Sequence, residues 1–320
     1  LCIYYAVIFF NELKFIYFLN YLPRFIENKV SYIIKMSKDD MTTIVTPEKK
    51  TKKCCICGPV KNCGPYLDKI FSNIENIGKL FDDYVIIMYY DNSDDNTLQK
   101  IVNYGKKNSK LVYHINTQKV SPFRTHRIAT ARNFCINKIR RDYTDFDYFI
   151  MMDCDEVNCK KVYPEVLGKY LDRDDWDALS FQTSPKYYDI WALSIKPYNF
   201  SYNHFNNNVA FYYIIQEHVT KLLNRLKPGE LLPCISAFNG FAIYRTHQFK
   251  NCYYDGRIRF DLLPKHKLVE HQVATNSLMV FKDYGNVNGF FEDCEHRAFH
   301  LEGILKNNAK IRISPEILFR

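Results

Sequence analysis

Between residues 53 and 152, short apolar runs alternate with stretches of helical periodicity, and few folds accept that order. Residues 53–57 read as a strand, and Gly58, Pro59, Gly64 and Pro65 then punctuate a turn. From Pro65 onward Leu67, Ile70, Phe71, Ile74, Ile77 and Phe81 recur at helical spacing, with proline at the first position, where its missing N–H costs nothing. Residues 84–90 (YVIIMYY) are apolar almost throughout, the mark of a strand buried on both faces of a parallel sheet. A helix to residue 107, a strand at 111–115, a helix at 126–140 and a strand at 148–152 complete the series. The alternation predicts an α/β fold, a mostly parallel sheet flanked by helices, whose ligands lie beyond the carboxyl ends of the strands.

Polar clusters terminate two of these strands. The run YFIMM at 148–152 delivers Asp153-Cys154-Asp155, two carboxylates at i and i+2, to a strand end. An all-oxygen pair of this kind suits a hard cation such as Mg2+ or Mn2+, which in turn holds a diphosphate. A solvated acidic turn capping the next helix is the plainer reading. After the second strand comes Asp91-Asn92-Ser93-Asp94-Asp95-Asn96-Thr97, rich in acceptors. There Asp94 or Asp95 can cap the following helix, or a carboxylate can accept from a ribose hydroxyl or a base N–H. The helix ahead of the acidic strand carries Arg124, Arg127 and Arg132. Arginine's fork suits phosphate or carboxylate, so Arg132 is placed either to pin Asp153 or to hold a diphosphate.

Composition narrows the partners. The chain has 44 Lys+Arg against 35 Asp+Glu, a net charge of +9, which favours anionic ligands. Neither a basic stripe nor a nucleic-acid motif accompanies that excess, so no nucleic-acid partner is expected. Tyr 25 and Phe 24 against Gly 11 allow a large aromatic core. Cys54 and Cys57 form a C-x2-C pair near Cys55 and Cys63, which invites a zinc reading, but a second regularly spaced pair is missing. Buried thiols of a strand in a reducing, intracellular and cytoplasmic setting are expected instead.

Residues 176–182 and 187–193 read as strands, with Asp189 and Trp191 as candidates for lining a ligand site. A tryptophan in an apolar run such as Trp191 is more often a core residue. Residues 199–230 combine an Asn-rich run with a charged helical stretch, and Asn199-Phe200-Ser201 is a lone sequon. Residues 238–245 form a turn entering a strand, in which Gly240 permits close backbone approach. In 292–300 a helix would put His296 and His300 on one face, with Glu292 one turn earlier; such spacing can supply a metal ligand and an acid–base group.

These motifs resemble the nucleotide-binding half of GT-A glycosyltransferases of the family 2 type, in the order D-N-S-D-D-N-T, A-R-N, M-D-C-D. The wording R-T-x-R-I-A-x-A-R-N, W-D-A-L-S-F and Y-Y-D-I-W-A-L is similar to capsule-associated α-1,3-mannosyltransferases of fungi and to glycosyltransferase-like proteins of large DNA viruses. The resemblance spans roughly residues 53–305. It implies a GT-A fold with a smaller acceptor-side sheet, residues 53–160 binding a nucleotide-diphosphate sugar and 161–320 binding a glycan or glycoconjugate acceptor. Within it a Mn2+ or Mg2+ ion bridges Asp155 and the diphosphate, Asp153 contacts ribose or metal, and Asp91, with Asp94 beside it, meets the base. Lys61, Arg127 and Arg132 go with the phosphates, Asn239 and Gly240 lie near the donor sugar, residues 199–230 form a lid or acceptor loop, and Asp189 and Trp191 line a sugar site, since aromatic faces stack on sugar C–H faces. His300 or His296 completes the metal sphere, and Asp293 or Glu295 deprotonates the acceptor in an inverting enzyme. The loop at 91–97 lacks the family's glycine, and the two resemblances divide between retaining and inverting chemistry. A hexosyltransferase is the expected activity. A non-catalytic sugar-binding module is its rival, and a nucleotidyltransferase is disfavoured because its G-x-G-x-R loop is missing at 58–61.

Residues 1–52 stand apart. An apolar stretch at 3–22 is interrupted by Asn11, Glu12, Lys14 and Asn20, which makes a poor spanning helix, and Met36 is the first methionine. The segment reads as an imperfect anchor, an amphipathic segment or translated sequence ahead of a start at Met36, followed by a flexible linker.

Overall fold

The computed structural model describes residues 52–118, 121–282 and 291–320, so the expectations for the N-terminal extension fall outside the described residues. The elements run β1 (Lys53–Val60), α1 (Leu67–Gly78), β2 (Asp83–Asp91), α2 (Thr97–Gly105), β3 (Leu111–Asn116), α3 (Arg124–Asp142), β4 (Tyr148–Met152), α4 (Pro164–Gly168) and β5 (Ala178–Gln182). After a 3-10 turn at Tyr202–His204 come α5 (Asn208–Asn224), β6 (Leu232–Pro233), β7 (Phe241–Arg245), α6 (Thr246–Phe249), α7 (His266–Thr275), α8 (Glu295–Asn307) and β8 (Ile311–Ile317).

The strands join in one sheet of order β3-β2-β1-β4-β7-β5-β8-β6. β1 to β4 pair in parallel, β5 and β8 pair in parallel, and only β7 and β6 run against their neighbours. The strands of the second half, expected to form a smaller sheet, therefore extend the same sheet rather than stacking as a separate one. Alternation along β1 sorts its side chains: Cys54 and Ile56 pack under α1, while Cys55 and Cys57 pack under α3 and α8. The two cysteines of the C-x2-C pair thus lie on opposite faces and cannot share a metal. Their thiols are free and buried, and burial pushes both well up in pKa. A third cluster joins Tyr187, Ile190 and Leu193 to the inner face of α5. No described helix is long and apolar enough to cross a membrane.

Three boundaries differ from expectation. β1 runs on through Gly58 and Pro59 to Val60, because β4 pairs only with Cys54 to Cys57 and leaves that side of Pro59 without a ladder partner. Residues 187–193 are a loop, not a strand. The Asn239 side chain takes the backbone N–H groups of Tyr188 and Asp189, and Asp189 takes that of Ala192, which closes a local turn. Glu292 does not precede His296 on a helix, since it sits in an extended bridge to Arg257 and α8 starts at Glu295.

Candidate functional site

Two neighbouring cavities open at the carboxyl ends of β1, β2 and β4, and Asp153 and Asp155 line both. Close backbone packing sets that ledge. A Cβ on Gly58 would stand 2.7 Å from the Met152 carbonyl oxygen, so only glycine lets β1 pass the end of β4. Gly240, at φ 82, accepts through its carbonyl from the Asp153 N–H at 2.8 Å and from Asn158 Nδ2 at 2.7 Å. The turn before β7 thereby holds the start of the acidic loop. Gly240 acts on the site through Asp153, and its own Cα lies against Tyr188 Oη.

The first cavity, about 260 Å³, brings Lys61, Arg124 and Arg127 together with Asp91, Asp153 and Asp155. Asp91 ends β2 there, accepting from Asn116 Nδ2 at 3.1 Å, with Lys61 Nζ at 3.6 Å and Arg127 Nε at 3.8 Å. Lys61 also donates to the Asn92 carbonyl, and Arg127 Nη1 donates to the carbonyls of Ser121 and Pro122. Asp94 departs from its expected place: it is exposed and lines neither cavity. Asp95 does the local work, accepting from Gly64 at 2.9 Å and Thr97 at 3.0 Å and so tying two turns together.

The second cavity, about 240 Å³, has acidic and aromatic walls. Of its four carboxylates, two are committed to one cation. The buried Arg132 donates to Asp153 Oδ1 at 2.7 Å and also bonds Glu295 and His296, while its guanidinium lies 4.5 Å from the Phe238 ring centre. Burial opposes that charge, but Glu295 and Asp153 more than offset it and raise the Arg132 pKa. The other two carboxylates have no salt-bridge partner among the described residues. Burial, with Asp153 beside it, pushes Asp155 up to about 6. Burial does the same to Asp189, which among the described residues accepts only from the Ala192 N–H at 3.2 Å and also reaches about 6.

Around Asp189 stand Tyr188, Trp191, Tyr202 and Tyr212. Arg124 lines both cavities, with its guanidinium carbon 5.5 Å from the Trp191 ring centre. Asn239 reaches neither cavity. Its amide is spent on Tyr188, Asp189, the Phe181 carbonyl and Thr183, so it orients Asp189 rather than a sugar. Tyr202 and Tyr212 were missed at the level of sequence, because nothing in their spacing separates them from the chain's many core tyrosines.

Two further expectations are corrected. Both ring nitrogens of His300 are occupied, Nδ1 by Ser236 Oγ at 2.9 Å and Nε2 by Tyr244 Oη at 3.1 Å. It lines neither cavity, and burial lowers its pKa to about 3, so it is a neutral core residue rather than a metal ligand. His296 faces the second cavity, but its Nε2 is taken by Arg132, and a cation already holding that lone pair leaves no room for a metal there. Asp293 is likewise spent. Burial would raise it, yet Arg297 at 2.8 Å and His204 at 3.3 Å hold it below the usual carboxylate range, and it lines neither cavity.

Asp153 and Asp155 fit a hard divalent cation. Both are oxygen donors, and Asp155 has no salt-bridge partner among the described residues, while burial first and the neighbouring Asp153 second raise its pKa. No group of three His, Cys, Asp or Glu able to hold a metal exists among the described residues, so ligand and water would complete the sphere.

The chain is similar in structure to several solved proteins. Residues of Staphylococcus aureus TarS (1-349) align over 83% of this chain and 59% of that one, at 14% identity and a TM-score of 0.42. The Pyrobaculum calidifontis mannosyltransferase PcManGT, solved with GDP-Man and Mn2+, aligns over 65% and 48%, at 11% identity and TM-score 0.38. Glucosyl-3-phosphoglycerate synthase of Mycobacterium tuberculosis, solved with Mn2+, UDP and glucosyl-3-phosphoglycerate, aligns over 62% and 58%, at 13% and 0.36. This chain spans less than two thirds of the length of each. No curated protein matches it. The Glycosyl transferase family 2 pattern, however, matches residues 55–241, more than half of the chain and every strand from β1 to β6. With that match and this sheet, the chain belongs to glycosyl transferase family 2 and has the GT-A fold.

Proposed function

We propose that the protein transfers a hexose from a nucleotide-diphosphate sugar to a hydroxyl of a glycan or glycoconjugate, with inversion at the anomeric carbon. The observation that carries this reading is the pair of cavities meeting at Asp153 and Asp155, one holding Lys61, Arg124 and Arg127 beside its carboxylates and one acidic and aromatic. The first cavity suits the nucleotide. Asp91 can accept from base or ribose, and Lys61, Arg127 and Arg124 favour the diphosphate. Asp155 and Asp153 would hold Mn2+ or Mg2+, which when bound neutralises charge growing on the departing diphosphate.

The second cavity suits the acceptor, with Trp191 and the tyrosines offering faces to a sugar ring. Asp189 takes over the role expected of Asp293 or Glu295. It is the acceptor-side carboxylate that has no salt bridge among the described residues, whereas Glu295 is bound to Arg132 and Asp293 to Arg297. A pKa near 6 keeps it ionised at neutral pH yet basic enough to take a proton. In the displacement the acceptor hydroxyl gives its proton to the Asp189 carboxylate as its oxygen bonds the anomeric carbon. The bond from that carbon to the diphosphate oxygen breaks, and its electron pair leaves with the diphosphate. Arg132 pins Asp153 and Glu295, so neither competes for that proton.

A thermal-shift series with UDP-, GDP- and CMP-sugars, with and without Mn2+, tests the donor site, since a ligand of the native state raises Tm. A Mn2+-dependent shift with one nucleotide, lost in Asp155→Asn, is expected. A cooperatively folded protein that shifts with none of them would overturn the donor reading.

A further inference from the structure

The transfer chemistry leaves the hydroxyl of Tyr188, on the wall of the second cavity, without a task. The rest of the residue is fixed. Its N–H goes to Asn239 Oδ1 at 3.1 Å, and its carbonyl accepts from the Ile190 N–H at 2.9 Å and from Tyr212 Oη at 3.3 Å. The hydroxyl itself has no hydrogen-bond partner among the described residues. Burial first, then the charges of Asp153, Asp189 and Asp155, push its pKa well up, so the phenol stays protonated with these three carboxylates around it. The neighbouring turn is shaped to fit. Asn239 at φ 56 and Gly240 at φ 82 are consecutive left-handed residues. The side chain of the first fixes the backbone of Tyr188 and Asp189. The second leaves space for the hydroxyl, since a Cβ there would stand 2.7 Å from Tyr188 Oη and 3.5 Å from Cε1. A hydroxyl fitted this closely, yet given no partner by the protein, is a donor kept for a ligand.

The surroundings choose that ligand. Carboxylates only accept, so Asp153, Asp155, Asp189 and Glu295 meet a sugar through its hydroxyl protons. The oxygen lone pairs of the same sugar need donors, and few are free. Both Nη groups of Arg132 are spent on Asp153, Glu295 and His296, Arg124 lies against the Trp191 ring, and the Trp191 Nε1 is buried. Tyr212 is spent on the Tyr188 carbonyl, and Tyr202 stands edge-on to Tyr212 at 5.2 Å, with Asp189 as its charged neighbour. Tyr188 is the hydroxyl set among Asp153, Asp155 and Asp189 together. The diphosphate belongs with the first two and the acceptor hydroxyl with the third. Between them lies the sugar in transfer, because its anomeric carbon is bonded to the one and attacked by the other.

We propose that the Tyr188 hydroxyl donates a hydrogen bond to an oxygen of the transferred sugar, and so selects nucleotide sugars that present an oxygen at that point. The assignment rests on the transfer reading above. It adds the group that recognises the sugar rather than the nucleotide.

The test titrates UDP, GDP and a panel of UDP- and GDP-hexoses calorimetrically into the full chain with Mn2+, for wild type and Tyr188→Phe. The substitution removes one oxygen and keeps the ring, and an unchanged Tm verifies folding. For the sugar nucleotide that the wild type binds, the variant is expected to bind about threefold to tenfold more weakly, with the Kd of the free nucleotide unchanged. KM for acceptor should not move. Among mono-deoxy forms of that sugar nucleotide, one should weaken the wild type by the same factor and leave Tyr188→Phe unaffected, as two partners of one hydrogen bond do. Equal preference for the sugar in both proteins, or an equal loss for nucleotide and sugar nucleotide, overturns the proposal. So does an effect confined to the acceptor KM, or a weakening of both proteins alike by every deoxy form. A wild type that binds none of the nucleotides overturns the transfer reading and this assignment with it, a result distinct from binding that ignores Tyr188.

Discussion

The two cavities differ in how they treat their carboxylates. In the first, Asp91 faces Lys61 and Arg127, and the charge is settled within the protein. In the second, Arg132 absorbs Asp153 and Glu295, and Asp189 is left with one backbone N–H. Asp155, on the ledge between them, is also unpaired among the described residues. The contrast teaches that a carboxylate tied to an arginine builds the site, while one kept apart from cations is available for chemistry. Asp293 and Asp189 show this most directly, because both are sequestered acids of the chain's second half and only one is neutralised.

The sharpest way to break the contrast is Asp155→Asn. Transfer should fall by at least about 10²–10³-fold, as for loss of one charge-stabilising group, with the Mn2+-dependent thermal shift gone. Full activity with metal retained would return Asp155 to an ordinary acidic turn. Asp189→Asn should lower kcat by about 10²–10⁴-fold while nucleotide binding, followed by the same thermal shift, is unchanged. In the wild type, kcat/KM should decline as pH drops through about 6, because the base is then protonated. A flat profile across that range would move the base to another group.

Stability gives the reverse signature. Asp189 keeps its proton in the folded state up to about 6, while the unfolded chain releases it near the ordinary 3.8. Its contribution to stability therefore falls as pH rises from 3.8 to about 6, and the deficit is complete above that range. Asp189→Asn should raise stability at pH 7 by about 1–3 kcal/mol. Asp293→Asn should instead cost about 3–5 kcal/mol, since it leaves Arg297 buried without its charge partner. Denaturant melts of the two variants check both signs, and like signs would erase the distinction. The smallest effect is that of Trp191→Ala, which should raise KM for acceptor roughly threefold to tenfold and leave donor KM alone.

Much of the first cavity could be read from the chain. β1 to β4 are consecutive elements of one α/β series, so the tips of β2 and β4, with Asp91, Asp153 and Asp155, follow from local patterning and parallel pairing. The helix that brings Arg127 and Arg132 is also local. The second cavity is assembled from residues separated by long stretches of chain. Asp189 sits in a loop whose N–H groups are taken by Asn239, fifty residues away. The apolar run at 187–193 looks like a strand because burial patterns it, and no local rule announces that its backbone bonds to a distant amide. His296 and His300 do share a face of α8, but which ring nitrogens remain free was settled by Arg132, Ser236 and Tyr244 on other elements.

The sequence by itself thus determined the alternating sheet and the acidic ledge at the end of β4, because strand burial and helix periodicity are properties of neighbouring residues. Only the tertiary structure decided which of the acids near that ledge are neutralised. Ionic pairing in a buried site is a matter of ångströms between segments that the chain does not place side by side.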